Sequence, residues 1–84
     1  SWGLDRIDQR NLPLNNVYKY PDSAGSGVNM YTIDTGIRIT HKDFSGRATW
    51  GYTANPSASD DDLNGHGTHC SGTMAGSCLL YTSD

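Results

Sequence analysis

Asn64-Gly65-His66-Gly67-Thr68-His69-Cys70-Ser71-Gly72-Thr73-Met74-Ala75-Gly76 is the most distinctive stretch of this 84-residue chain. The pattern predicts a helix over His66–Ala75 with Asn64 as its cap, because an Asn side chain accepts the free amides of a first turn. The helix is intrinsically weak: Gly67 and Gly72 each cost about 1 kcal/mol relative to Ala. Small residues at Thr68, Ser71, Gly72 and Ala75 recur at the spacing of one helix face, which lets another backbone come close. So poor a helix former needs tertiary packing to hold it. The stretch reads as a central helix of a larger α/β body, most of which lies outside these residues.

Upstream, Val28-Asn29-Met30-Tyr31-Thr32-Ile33 is the best strand candidate, short, rich in β-branched and aromatic residues, and preceded by glycines. Residues 20–27 form a loop by composition, Ile37–Thr40 suits a further short extended piece, and Asn55–Asp62 an exposed polar loop. Leu4 and Ile7 stand at helical spacing, and Pro13 ends any helix there. Asp34-Thr35-Gly36 closes the predicted strand, placing a carboxylate at the sheet edge where open α/β folds gather ligands and catalytic groups. Such a carboxylate can accept the Nδ1–H of an imidazole, fix its tautomer and stabilise the imidazolium. Asp-x-Gly is also an ordinary way to end a strand, so Asp34 alone decides little. His66 falls at a helix start flanked by glycines, which let a substrate chain pass close. A histidine neutral near pH 7 suits general-base work on a hydroxyl nucleophile.

Taken together, the Asp34-Thr35-Gly36 and Gly65-His66-Gly67-Thr68-His69 segments resemble the aspartate and histidine motifs of subtilisin-like serine proteases. The Asp-before-His order also matches that family's triad. The opening Trp2-Gly3-Leu4-Asp5-Arg6-Ile7-Asp8-Gln9-Arg10 and the His69-Cys70 step resemble the proteinase K-like branch, and the similarity runs from about Trp2 to Gly76. The resemblance implies a three-layer α/β sandwich around a mostly parallel sheet, with only its amino-terminal part present. It implies a secreted, extracellular, monomeric endopeptidase that acts on protein or peptide substrates through an Asp-His-Ser triad. By it, His66 is the general base, Asp34 orients it, and His69 is structural. The nucleophilic serine, in a Gly-Thr-Ser-Met-Ala motif, and an oxyanion-hole asparagine are expected downstream. Neither motif is in this sequence, and Ser71 and Ser77 lack the family's context. The 84 residues alone are therefore expected to be inactive.

Metal chemistry has one candidate. Asp5 and Asp8 stand at i and i+3 on one face of a helical turn, Gln9 adds an amide oxygen, and Asn15 follows Pro13. Several oxygen donors in a flexible segment suit Ca²⁺ better than Mg²⁺. The alternative is a solvated helix face with Asp5 or Asp8 beside Arg6 or Arg10. Some proteinase K-like relatives carry calcium in this segment, so the resemblance implies a structural Ca²⁺ on Asp5, Asp8, Gln9 and Asn15. Asp60-Asp61-Asp62 is better read as a solvated acidic loop than as a second ion site. Zinc at His66, His69 and Cys70 fails for want of a fourth ligand. A helix running through Cys70 and Cys78 would separate them by about 12 Å. A disulfide needs Cα atoms within about 7 Å. Cys70 is therefore expected to be a free thiol near the His66 turn.

Composition removes other classes. The net charge is -3 with no Lys/Arg cluster, which disfavours nucleic acid and anionic membranes as partners. No apolar run approaches the ~20 residues of a membrane span. Only 35% of the chain is hydrophobic, a small share for a self-sufficient core. Residues 1–76 thus read as the amino-terminal part of a peptidase domain and 77–84 as a tail foreign to the family, with Cys78–Asp84 similar to translated adapter sequence. A stand-alone calcium-binding or interaction module is the rival reading. It explains the length but not two triad motifs in the right order.

Overall fold

The computed structural model describes residues 2–77. Three short elements organise them: α1 (Trp2–Ile7), a single 3-10 turn (Lys42–Phe44) and α2 (His66–Ala75). Helix α2 has the limits its sequence predicts, and α1 carries Leu4 and Ile7 and stops at Ile7, before Pro13.

The predicted strands do not form. Val28–Ile33 and Ile37–Thr40 carry no ladder, and there is no β-strand among the described residues. A strand exists only through its partner's N–H and C=O groups. No other described segment supplies them. Tyr31 is 86% exposed and Ile33 fully exposed on one face of the segment, and Val28 and Met30 are exposed on the other. The loop at 20–27 is present as consecutive turns, closed by Ala24 N–H to Pro21 O, Ser26 N–H to Ser23 O and Val28 N–H to Gly25 O.

Little is buried. Phe44 is the one buried hydrophobic residue among those described, accompanied by Asp5, Asp43 and Ser71. The chain exposes 6831 Å², against about 4,900 Å² for a compact monomer of its mass. What order there is comes from polar clasps. The Asp5 carboxylate accepts the Asn16 N–H at 2.6 Å and the Asn15 N–H at 3.4 Å, and the Asp8 carboxylate accepts the Lys19 N–H at 2.7 Å. These tie α1 to the segment that follows Pro13. At the other end, the Arg47 guanidinium donates to the Ala75 carbonyl at 2.5 Å and to Phe44 O at 3.0 Å, fastening the 3-10 turn to the last turn of α2. Ser77 N–H donates to Asp43 O at 2.9 Å and completes that junction.

Close backbone approach occurs at the start of α2, while Thr68 and Ser71 of the small-residue face hydrogen-bond to the opposing segment. Gly72 has open space around it. Gly67 has no room for a side chain: a Cβ there would lie 2.0 Å from the Gly36 carbonyl oxygen. Gly36 itself has φ +122°, a conformation that favours glycine, and so turns its carbonyl onto α2. One row over, the Ser71 and Thr32 hydroxyls share a hydrogen bond of 3.0 Å. The two motifs are thus packed backbone to backbone.

Candidate active site

The Gly36–Gly67 contact brings Asp34 and His66 together from 32 residues apart. His66 Nδ1 lies 2.8 Å from Asp34 Oδ1 and 2.9 Å from Oδ2, so one ring N–H is shared between both carboxylate oxygens. The Asp34 carboxylate is also fixed from its own chain, accepting the Thr35 N–H at 2.6 Å. Its side chain is 17% exposed, while that of His66 is 65% exposed. The carboxylate is therefore sheltered and the imidazole is presented to solvent.

Electrostatics follow the geometry. The Thr35 backbone N–H, then the His66 bond and charge, hold the Asp34 carboxyl below its ordinary range. The Asp34 hydrogen bond, then its charge, raise the His66 imidazole above its ordinary value, with a smaller push from Asp62. With Nδ1–H given to Asp34, the lone pair of Nε2 is left to accept a proton. No hydroxyl bonds to His66 among the described residues. Cys70 is a free thiol whose Sγ lies 3.8 Å from Nδ1 and 3.9 Å from Nε2, beside the ring. Asp34, His66 and Cys70 place donor atoms within 4.8 Å of one another, one ligand short of a closed zinc site. Cys78 lies outside the described residues. His69 is exposed, and Ser71 is buried against Thr32, away from the imidazole.

The start of α2 departs from the sequence reading. Asn64 does accept the His66 N–H at 3.1 Å, but the residue at the cap is Gly65, with φ +100° and no side chain. The capping carboxylate is Asp62, which the sequence presents as one of three residues in a solvated acidic loop. Asp62 Oδ1 accepts Asn64 N–H at 3.1 Å, Gly65 N–H at 2.9 Å and the Thr35 hydroxyl at 2.8 Å. Its Oδ2 accepts Thr68 N–H at 2.9 Å and the Thr68 hydroxyl at 2.5 Å. The Thr68 hydroxyl, then the Gly65 N–H, hold its carboxyl far below the usual carboxylate range. The available sequence signal was an acid four residues before the Gly-flanked helix start, near the end of a helix where negative charge is favourable.

The sequence-predicted calcium residues share one end of the molecule. Asp5 and Asp8 both reach across to residues 15–19, and Arg6 donates to the Gln9 carbonyl at 2.7 Å. The Asn15 side-chain oxygen accepts the Val17 N–H at 3.1 Å. Gln9 Nε2 donates to Asn11 O and Pro13 O, at 2.6 and 2.8 Å, leaving Gln9 Oε1 buried without a hydrogen-bond partner. A buried oxygen left without a partner in this way is one that a hard cation can take as a ligand.

Known proteins are similar to this chain over most of its length. The Subtilase family profile matches residues 25–79, more than half of the chain. The chain is 58% identical over 78 residues to a subtilisin-like serine protease pepC of Aspergillus niger, covering 89% of this chain and 15% of that protein. It is 53% identical to an extracellular serine proteinase of Thermus sp. (strain Rt41A), covering 90% of this chain and 18% of that protein. Cerevisin of Saccharomyces cerevisiae is 56% identical over 77 residues, covering 88% of this chain and 12% of its own. The chain thus spans less than a fifth of the length of these curated relatives. On that evidence the chain belongs to the subtilase family of serine proteases, whose fold is α/β.

Proposed function

We propose that the chain is the amino-terminal part of a secreted serine endopeptidase, with residues 1–76 in its peptidase domain and 77–84 a tail foreign to it. The single observation that carries this reading is the two-oxygen contact between Asp34 and His66 Nδ1, which leaves Nε2 facing solvent. In the complete enzyme the nucleophilic serine and the oxyanion hole come from beyond these residues, as does most of the three-layer sandwich. His66 Nε2 takes the serine hydroxyl proton as the oxygen attacks the scissile carbonyl. The imidazolium then returns that proton to the leaving amine, and Asp34 stabilises the charged ring throughout. Substrates are proteins or peptides, and the complete enzyme works as a monomer. A secreted enzyme agrees with the relative named extracellular. Among the described residues no helix is long and apolar enough to cross a membrane.

Calcium is a structural ion in this reading. The Asp5 and Asp8 carboxylates, Gln9 Oε1 and the Asn15 amide oxygen would hold it, and the ion supplies charge neutralisation where α1 meets residues 15–19. The chain's own part is to bring these four oxygens to one end of α1. No observation favours the stand-alone module.

The test is to extend the reading frame in the source DNA, express the complete protease and titrate its active sites with a serine-directed phosphonate. A downstream Gly-Thr-Ser motif and stoichiometric labelling are expected. A complete protein that hydrolyses peptides with Asp34 and His66 both replaced by Ala would sink the assignment.

A further inference from the structure

Two hydroxyls cross between the segment that carries Asp34 and the helix that carries His66. Thr35, next to Asp34, accepts the Gly67 N–H at 3.0 Å. Thr68, two residues after His66, accepts the Arg38 N–H at 3.0 Å. Each hydroxyl thus reaches from one motif to the backbone of the other. A hydroxyl accepts in a fixed direction only when its own proton is committed elsewhere. Both protons go to Asp62, one on each carboxylate oxygen. The same carboxylate also takes the amides of Asn64, Gly65 and Thr68, which bracket His66.

We propose that Asp62 is a positioning residue for the Asp34–His66 pair, a carboxylate clasp that orients the Thr35 and Thr68 hydroxyls and so fixes the distance between the two motifs. The proposal rests on the reading of Asp34 and His66 as acid–base partners. Asp62 touches neither side chain. It accepts five hydrogen bonds, so it serves only as an ionised, acceptor-only group. A carboxamide of the same shape cannot replace it. Whichever way the amide introduced by Asp62→Asn turned, its NH₂ would face either the Gly65 and Asn64 amides or the Thr68 amide, donor against donor. The Thr68 hydroxyl and the Gly65 N–H hold the Asp62 carboxyl far below the usual carboxylate range, as befits a carboxylate surrounded by donors alone.

The experiment uses the complete protease with every rate divided by the number of titrated active sites. Asp62→Asn should lower kcat by about ten-fold or more while KM stays within about two-fold, since a sub-ångström displacement of the base acts on the chemical step. The downfield Nδ1–H proton resonance of His66 should weaken or shift. Thr35→Val removes one half of the clasp and should act in the same direction. The double variant should lose less than the product of the two single losses, because both break one link. Thr35→Val also carries the test if Asp62→Asn does not fold. A loss confined to the number of active sites, with per-site kcat and the His66 resonance unmoved, would overturn the clasp and leave Asp62 a mere helix cap. Turnover retained by Asp34→Asn would overturn the catalytic reading and this inference with it. Turnover lost in Asp34→Asn but kept within about two-fold in Asp62→Asn would overturn this inference alone.

Discussion

Residues 28–33 and residues 34–36 are neighbours in the chain and opposites in the structure. The first six are largely apolar and β-prone, and apart from the Thr32–Ser71 hydroxyl bond nothing in them is paired into a ladder: Val28, Met30, Tyr31 and Ile33 are all exposed. The next three are held by α2 and Asp62 through Gly67 N–H, the His66 ring and the Asp62 carboxylate. The difference is one of range. The site is made of polar contacts between two motifs with strong local geometry, and hydrogen bonds of this kind close wherever the two backbones meet. The strand depends on other strands, whose apolar faces would cover it, and those are not among the described residues. The Asp34–His66 arrangement is therefore specified by less sequence than a sheet needs.

The largest effect expected bears on the held half. In the complete protease, Asp34→Asn should lower kcat by about 10⁴, because the amide favours the wrong imidazole tautomer. A variant keeping a third of normal turnover would remove Asp34 from the mechanism. The other half is probed by amide exchange. In the 84-residue chain the amides of Val28–Ile33 should exchange as in an unfolded peptide, and its circular dichroism should show no sharp thermal transition. In the complete protease the same amides should slow by about 10³-fold or more, the protection that some 5 kcal/mol of stability confers. Strong protection in the short chain would mean that the ribbon has a partner within it, and the contrast drawn above would fail.

Smaller effects sharpen the picture. In the complete protease the His66 imidazole should titrate above the ordinary value of 6.5, and Asp34→Asn should bring it down. The two consequences have opposite signs. The base works only when neutral, so kcat/KM should fall as pH drops through the raised value. A raised native-state value also contributes stability that is present in acid and lost as pH rises through it. An acid limb at or below 6.5 would mean that the Asp34 bond does not act on the base. The smallest effect is calcium. The ion should raise Tm by a few degrees, and Asp5→Ala with Asp8→Ala should remove part of that rise. An identical calcium response in the double variant would put the ion elsewhere.

The legible parts of the sequence were those fixed by local chemistry. The limits of α2 and the pairing of Asp34 with His66 could be read from Gly-flanked motifs whose residue types serve few other purposes. The small-residue face indicated a close backbone approach; Thr68 and Ser71 of that face meet the opposing segment, and the tightest backbone contact falls beside it at Gly67. Asp62 was hidden by its neighbours: in Asp60-Asp61-Asp62 three identical side chains read as one solvated run, and only the crossing of Thr35 and Thr68 singles out the third. The predicted strands were judged on propensity, which describes how well a residue suits a sheet and says nothing of whether partners are at hand.

The loop between Thr53 and Asp60 has a practical consequence. The Thr53 hydroxyl donates to the Asp60 carboxylate, and Trp50 Nε1–H donates to the Thr53 hydroxyl at 2.9 Å, so the two ends of the loop are stitched together. Everything between is exposed, and an internal turn closes it at Asn55 O with Ala58 N–H. Lengthening a loop whose ends are already joined costs little, about 0.6 kcal/mol for each doubling. Ser57 is thus a splice point: an epitope, a fluorophore-binding tag or a recognition sequence could be carried there while Asp62 and α2 stay in register.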